Sequence, residues 1–323
     1  MILFSFLIRS TAFFSQITQS RGAFQSFSNT RTTKLADAHS PPTISSLLDR
    51  AQTVRRKLYG NNDSLPTFLH DTTQLAYPSS TYLMKPDDSR QRHTHSVMRG
   101  FCNWLLPKRI MIGQYPGMTP ESNGPSLDEC HRHIETMVRD ARISLFCCLQ
   151  TEVPSQWDNA GWDRDKVYLE PMSLRKEFPR PFTRYGTMTR ELADHRRMDF
   201  IHNPIEDLGV PTCNNSLLRL LSGLIQHLEE NEARDDCNNA IYIHCWGGRG
   251  RAGLVGSCLV SLLFPELESS DVLEFVQEAY STRLGAADMP YGLRRSPQTD
   301  QQRSFVKEFV RLVHNEREQS TKT

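Results

Sequence analysis

The sequence predicts an α/β fold: a central, mostly parallel, twisted sheet flanked by helices, in a single domain with an N-terminal extension. Three observations predict it. Short β-branched and apolar runs at Ile110–Ile112, Ile143–Leu149 and Ile241–Ile243 read as buried strands. Segments with apolar residues at helical spacing lie between and after them, notably Leu217 to Leu228 and Leu254 to Phe264. A helix that feeds a strand, a glycine loop and a second helix implies a right-handed crossover, and therefore parallel neighbours.

Residues 1–36 contain no Asp or Glu, carry Arg9, Arg21, Arg31 and Lys34, and are rich in Ser and Thr. Segment 1–40 is therefore read as a targeting peptide or a disordered tail. Within 41–100, Ile44, Leu47, Leu48, Ala51, Val54 and Leu58 have helical spacing up to Tyr59. That helix either packs on the domain or forms a local extension. Gly60 to Gly100 reads as an irregular linker rich in Pro, Ser, Asp, Asn, Arg and His. The domain proper is expected over 101–316, with a disordered tail at 317–323.

Inside the domain, Gly113 to Gly117 reads as a turn after the first strand. Ser126 and Glu129 form a capping box for a helix through Val138. Cys147 and Cys148 sit in the second strand as small core residues. Pro154 to Asp199 is polar, with Trp157, Trp162, Arg175, Lys176, Arg180 and Arg184, and reads as an insertion over the site with a short helix at Tyr185 to Ala193. Phe200-Ile201 ends another strand. Asn214 or Asn215 caps the long helix before Ile241. Ser270-Asp271 opens one more helix, and Gln298 to Val313 the last.

The stretch Ile241 to Gly253 reads I-Y-I-H-C-W-G-G-R-G-R-A-G. A loop that opens a helix presents unpaired N–H groups, and the helix dipole adds partial positive charge. Together they make an anion site. Gly247, Gly248 and Gly250 let successive amides turn inward without Cβ clashes. Arg251 supplies a planar fork suited to two phosphate oxygens. A cysteine at the mouth of such a site, here Cys245, is set up as a nucleophile aimed at phosphorus. Gly248, Gly250 and Gly253 also match G-x-G-x-x-G, but no second strand with a ribose-binding acid follows, and no Lys-Ser or Lys-Thr pair makes a nucleotide P-loop.

His244-Cys245-x5-Arg251 resembles the signature of the cysteine-dependent tyrosine and dual-specificity phosphatases, and its H-C-W-G-G form is similar to an atypical branch found in bacteria, algae and other protists. The resemblance runs from about Trp104 to about Val313 and takes in Leu149-Gln150-Thr151-Glu152. It implies a phosphatase-like catalytic domain in which Cys245 is the nucleophile and Arg251 binds phosphate and the transition state. The amides of Trp246, Gly247, Gly248, Arg249 and Gly250 would line the phosphate loop, and His244 would sit behind the cysteine. The pattern Ile-x-Asp-x-Gly-x-Pro from Ile205 places the general acid and base on Asp207, with Glu206 as the neighbouring alternative. Ser-Pro-Gln-Thr-x-Gln-Gln from Ser296 resembles the loop whose glutamines position hydrolytic water, which places that role on Gln298 and Gln302. Ala252 departs from the pattern, since a Ser or Thr usually follows the arginine and supports the departing thiolate.

The implied activity is hydrolysis of phosphate monoesters through a cysteinyl-phosphate, on phosphotyrosine or phosphoserine/threonine proteins, with no cofactor. Arg249, a second cation in the loop, keeps open a phosphoinositide or other polyanionic substrate. Ala252 keeps open a phosphate-binding pseudophosphatase, and a persulfide-forming sulfurtransferase is a lower-ranked rival. The net charge of +1 predicts no nucleic-acid partner. No apolar run reaches the length of a membrane span. Eight cysteines without a C-x-x-C pair favour a reducing compartment, cytoplasmic or organellar. His93, His95, Cys130, His131 and His133 show no paired metal-ligand spacing, so no metal is expected.

Overall fold

A computed structural model describes residues 41–59, 101–120, 124–162, 181–194, 196–232, 240–283, 286 and 291–322. The segment read as a targeting peptide or a disordered tail, the linker with His93 and His95, and Arg175, Lys176 and Arg180 lie outside the described residues. Five strands form one sheet: β1 (Cys102–Leu106), β2 (Ile110–Gly113), β3 (Ile143–Gln150), β4 (Asp199–Ile205) and β5 (Ala240–His244). The order is β1-β2-β5-β3-β4. Only β1 and β2 pair antiparallel; β5 lies parallel between β2 and β3, and β4 parallel at the edge. β5 thus occupies the middle of the sheet, where its whole length is buried. That position suits an unbroken apolar strand.

Among the described residues, the helices of seven residues or more are α1 (Ile44–Tyr59), α2 (Leu127–Glu135), α3 (Gly186–Leu192), α4 (Asn214–Glu232), α5 (Arg251–Leu263), α6 (Ser269–Ser281) and α7 (Asp300–Lys322). α5 is buried along all its residues, so it is apolar all round and forms the axis of one helical layer. α1, α6 and α7 pack on it, and α4 joins them over β4 and β5. α2 and α3 pack together on the opposite face, where Tyr185 meets the rings of Phe146 and Phe200. The Ser126–Glu129 capping box at α2 forms as read, and Cys147 and Cys148 lie in the core.

One open alternative is resolved, two expectations change and one strand is new. α1 is part of the same core: Leu47, Leu48, Ala51 and Val54 are buried against it. Its polar face is stitched down too, since Arg50 pairs with Glu229 and Gln52 Nε2 donates to the carbonyls of Leu262 and Leu263 at 2.9 and 3.1 Å. The last helix starts at Asp300 and runs to Lys322, so helix continues through the segment read as a tail from 317; His314 and Arg317 bond the carbonyls of Leu267 and Pro265. Phe200-Ile201 opens β4 rather than ending a strand, and Pro204 fits there because β4 is an edge strand. β1 had no sequence signal, because its buried run includes the polar Asn103.

Candidate active site

Parallel sheets place their ligands beyond the carboxyl ends of the strands. Here β5 ends at His244, Cys245 follows, and the loop returns at Gly250 to start α5 with Arg251. Cys245 is only 3% exposed. The loop is held from outside by its carbonyls. Trp246 O accepts from Tyr115 N at 3.0 Å, Gly247 O and Gly248 O accept from Arg283 at 3.3 and 2.6 Å, and Arg249 O accepts from the Ser296 hydroxyl at 2.9 Å. In a trans peptide unit the N–H points opposite to the C=O. With those carbonyls anchored outward, the N–H groups of Gly247, Gly248, Arg249 and Gly250 turn into the hollow. Gly248 has φ +65°, and a Cβ there would overlap the backbone of Gly113 at the end of β2. Glycine is required at that point by both conformation and space.

Arg251 is 2% exposed. Glu152 grips it bidentately, accepting from NH1 at 2.8 Å and NH2 at 2.9 Å, and Ile205 O accepts from NH1 at 3.1 Å. Asp207 Oδ1 lies 3.1 Å from NH2. Burial works against the guanidinium charge, but the Glu152 hydrogen bonds and the nearby Cys245 and Asp207 outweigh it and hold the pKa above the ordinary arginine value. The cation is thus fixed at the hollow by one carboxylate, and a second, more exposed carboxylate meets it from the acid loop.

His244 is fully buried, its Nε2 2.7 Å from the Tyr185 hydroxyl and its ring among Tyr115, Tyr185 and Tyr242. Burial pushes its pKa down to about 3, so it is neutral at physiological pH. It therefore brings no positive charge to the neighbouring Cys245. Ala252 is buried and offers no hydroxyl.

Gln298 Oε1 accepts from Arg249 Nε at 3.0 Å, so the second loop cation is held at the rim. Gln302 is buried beside Gly250. Its Oε1 accepts from the N–H groups of Gln298 and Thr299 at 3.1 and 3.2 Å, and its Nε2 donates to Gly209 O at 2.9 Å. Both ends of its amide are engaged by backbone groups.

The structure thus gathers Cys245, Arg251, Asp207 and the loop residues around one hollow. Glu206 extends on the exposed side of the turn. Sequence reasoning missed Glu152, Arg283, Ser296 and Tyr185 as site residues. Glu152 stood in a segment already matched to the phosphatase pattern, and that was its available signal. Among the described residues no cluster of three or more metal-ligating side chains is present, and no helix is long and apolar enough to cross a membrane.

No family model matches the chain, and no curated protein matches it. Solved structures similar to it include PTPMT1, at 13% identity over 69% of this chain and 100% of that one, with a TM-score of 0.37. Kinase associated phosphatase gives 14% identity over 68% and 97%, with a TM-score of 0.43. A PTP-like phytase from Bdellovibrio bacteriovorus gives 13% identity over 70% and 87%, with a TM-score of 0.38. At that distance, the chemistry of this chain rests on its own geometry.

Proposed function

We propose that this chain is a cysteine-dependent phosphoric monoester hydrolase acting on phosphorylated proteins. The observation that carries the reading is the loop between β5 and α5, whose carbonyls from Trp246 to Arg249 are tied outward while Cys245 and Arg251 stand at its two ends. Inward amides and a buried guanidinium complement a phosphoryl group whose equatorial oxygens carry charge through both transition states.

In the first step the Cys245 thiolate forms an S–P bond as the ester P–O bond breaks, and Asp207 gives its proton to the departing oxygen. In the second, water attacks phosphorus, its proton passes to Asp207, and the S–P bond breaks to release phosphate and thiolate. Bound phosphate takes the place of Asp207 on the Arg251 guanidinium. Glu152 stays behind Arg251 and keeps the cation in place during this exchange.

Gln298 accepts from Nε of Arg249 and leaves the charge of this second loop cation in place, so a polyanionic phosphoester is the second substrate class to be tested. The test is release of phosphate from an aryl phosphate, a phosphotyrosine peptide and a soluble phosphoinositide, wild type beside Cys245→Ser. Turnover lost in the variant with phosphate binding retained is the expected outcome. Undiminished release by the variant refutes the nucleophile. Binding without turnover in the wild type establishes the pseudophosphatase reading. A preference for the phosphoinositide overturns the protein substrate.

A further inference from the structure

We propose that Thr299 and Gln302, at the start of α7, are positioning residues for the acid step, latching the Asp207 loop over the phosphate hollow. The inference rests on Asp207 being the acid.

Asp207 sits at the tip of a turn closed by Gly209 N donating to Glu206 O at 3.0 Å. Its side chain is 58% exposed, and the next residue, Leu208, is 49% exposed with φ +60°. A non-glycine residue in that backbone region is strained, so the turn needs support from outside. Side-chain support comes from the start of α7. Thr299 Oγ1 donates to Leu208 O at 3.2 Å, and Gln302 Nε2 donates to Gly209 O at 2.9 Å. The two carbonyls held are those of the two residues directly after Asp207.

The same two side chains form a capping box. Gln302 N donates to Thr299 Oγ1 at 3.1 Å, and Thr299 N donates to Gln302 Oε1 at 3.2 Å. Each group therefore does two jobs, with its acceptor closing the helix end and its donor reaching across to the acid loop. This helix end also touches the phosphate loop, through Gln298 to Arg249 Nε and through Ser296 to Arg249 O. One helix terminus thus sets the distance between the loop that holds phosphorus and the loop that brings the proton. That accounts for a fully buried glutamine whose amide bonds both its own helix end and the Asp207 loop.

The test separates latch from cap. Thr299→Asp keeps an acceptor for the cap and removes the donor to Leu208. Gln302→Glu keeps the capping acceptor and removes the donor to Gly209. Thr299→Ser keeps both donor and acceptor. Each is measured beside Asp207→Asn on aryl phosphates of graded leaving-group acidity, with thermal unfolding followed in parallel. A missing proton donor slows poor leaving groups far more than good ones. General acid catalysis is worth roughly a hundredfold or more, so Asp207→Asn loses about that on phenyl phosphate and little on dinitrophenyl phosphate. Thr299→Asp loses roughly fivefold on phenyl phosphate, the population change that follows loss of one hydrogen bond, and less than about twofold on dinitrophenyl phosphate. Gln302→Glu shows the same asymmetry, and Thr299→Ser behaves as wild type. If Asp207→Asn shows the asymmetry but both latch variants lose rate equally on all esters, or lose none, the latch is refuted. If Asp207→Asn itself shows no asymmetry, the acid assignment fails and the latch falls with it.

Discussion

Arg283→Met is the perturbation that most directly probes how the phosphate loop is built. Arg283 is 2% exposed and makes four hydrogen bonds. Its Nε donates to Asn103 Oδ1 at 2.6 Å, and its NH groups donate to Ile112 O at 3.1 Å, Gly248 O at 2.6 Å and Gly247 O at 3.3 Å. Methionine fills much of the volume and leaves these four acceptors without the guanidinium. Each abandoned buried acceptor costs about 1–3 kcal/mol. Against this, burial alone pulls the Arg283 pKa down, and removing the charge recovers a desolvation cost of several kcal/mol. The net expectation is destabilisation by about 3 kcal/mol, read as a lower urea midpoint. The functional loss is larger. Releasing the carbonyls of Gly247 and Gly248 lets the N–H groups of Gly248 and Arg249 swing out of the hollow. Removing one preorganised donor costs roughly a hundredfold in kcat, so at least that loss is expected on an aryl phosphate, with weaker binding of inorganic phosphate. A folded Arg283→Met protein with wild-type kcat/KM and phosphate affinity would falsify the claim that outward anchoring of the carbonyls aims the amides.

Two further expectations follow from the packing. Leu47→Ala, at a side chain of α1 with no exposure, is expected to cost about 3 kcal/mol in urea unfolding, and a chain that starts at residue 100 should unfold more easily still; equal stability with and without α1 would show that the helix is an accessory. Burial also holds His244 at about 3 and His227 at about 4, both below the ordinary value of 6.5. The unfolded chain then binds protons that the native state refuses, so the stability they provide is complete above pH 6.5 and is lost as pH falls toward those values. At pH 5 each accounts for about 2 kcal/mol lost relative to pH 7. Urea midpoints that stay constant between those pH values would contradict neutral burial of the two histidines.

Some of this molecule is written in short stretches of chain. Ser126 and Glu129 lie three residues apart, and a capping box needs nothing else, so α2 starts where its residues say. The run Ile241 to Arg251 holds a strand, a turn that needs glycine, and a helix start, all governed by neighbours in sequence. For that reason the phosphate loop, Cys245 and Arg251 were legible. Asp207 was legible through the resemblance of its own short motif. Gln298 and Gln302 were found as residues of interest, but their partners were not, because Arg249 and Gly209 come to them only through folding.

The sequence by itself determined the fold class and placed Cys245 and Arg251 at the two ends of one glycine loop, since each follows from residues whose spacing sets their geometry. Tertiary structure alone decided what holds them. Glu152 reaches Arg251 across 99 positions, Arg283 reaches Asn103 across 180, and Tyr185 reaches His244 across 59. Such pairs carry no period and no local signature. They exist because the parallel sheet brings distant strand ends to one edge, where burial makes each polar group find a partner.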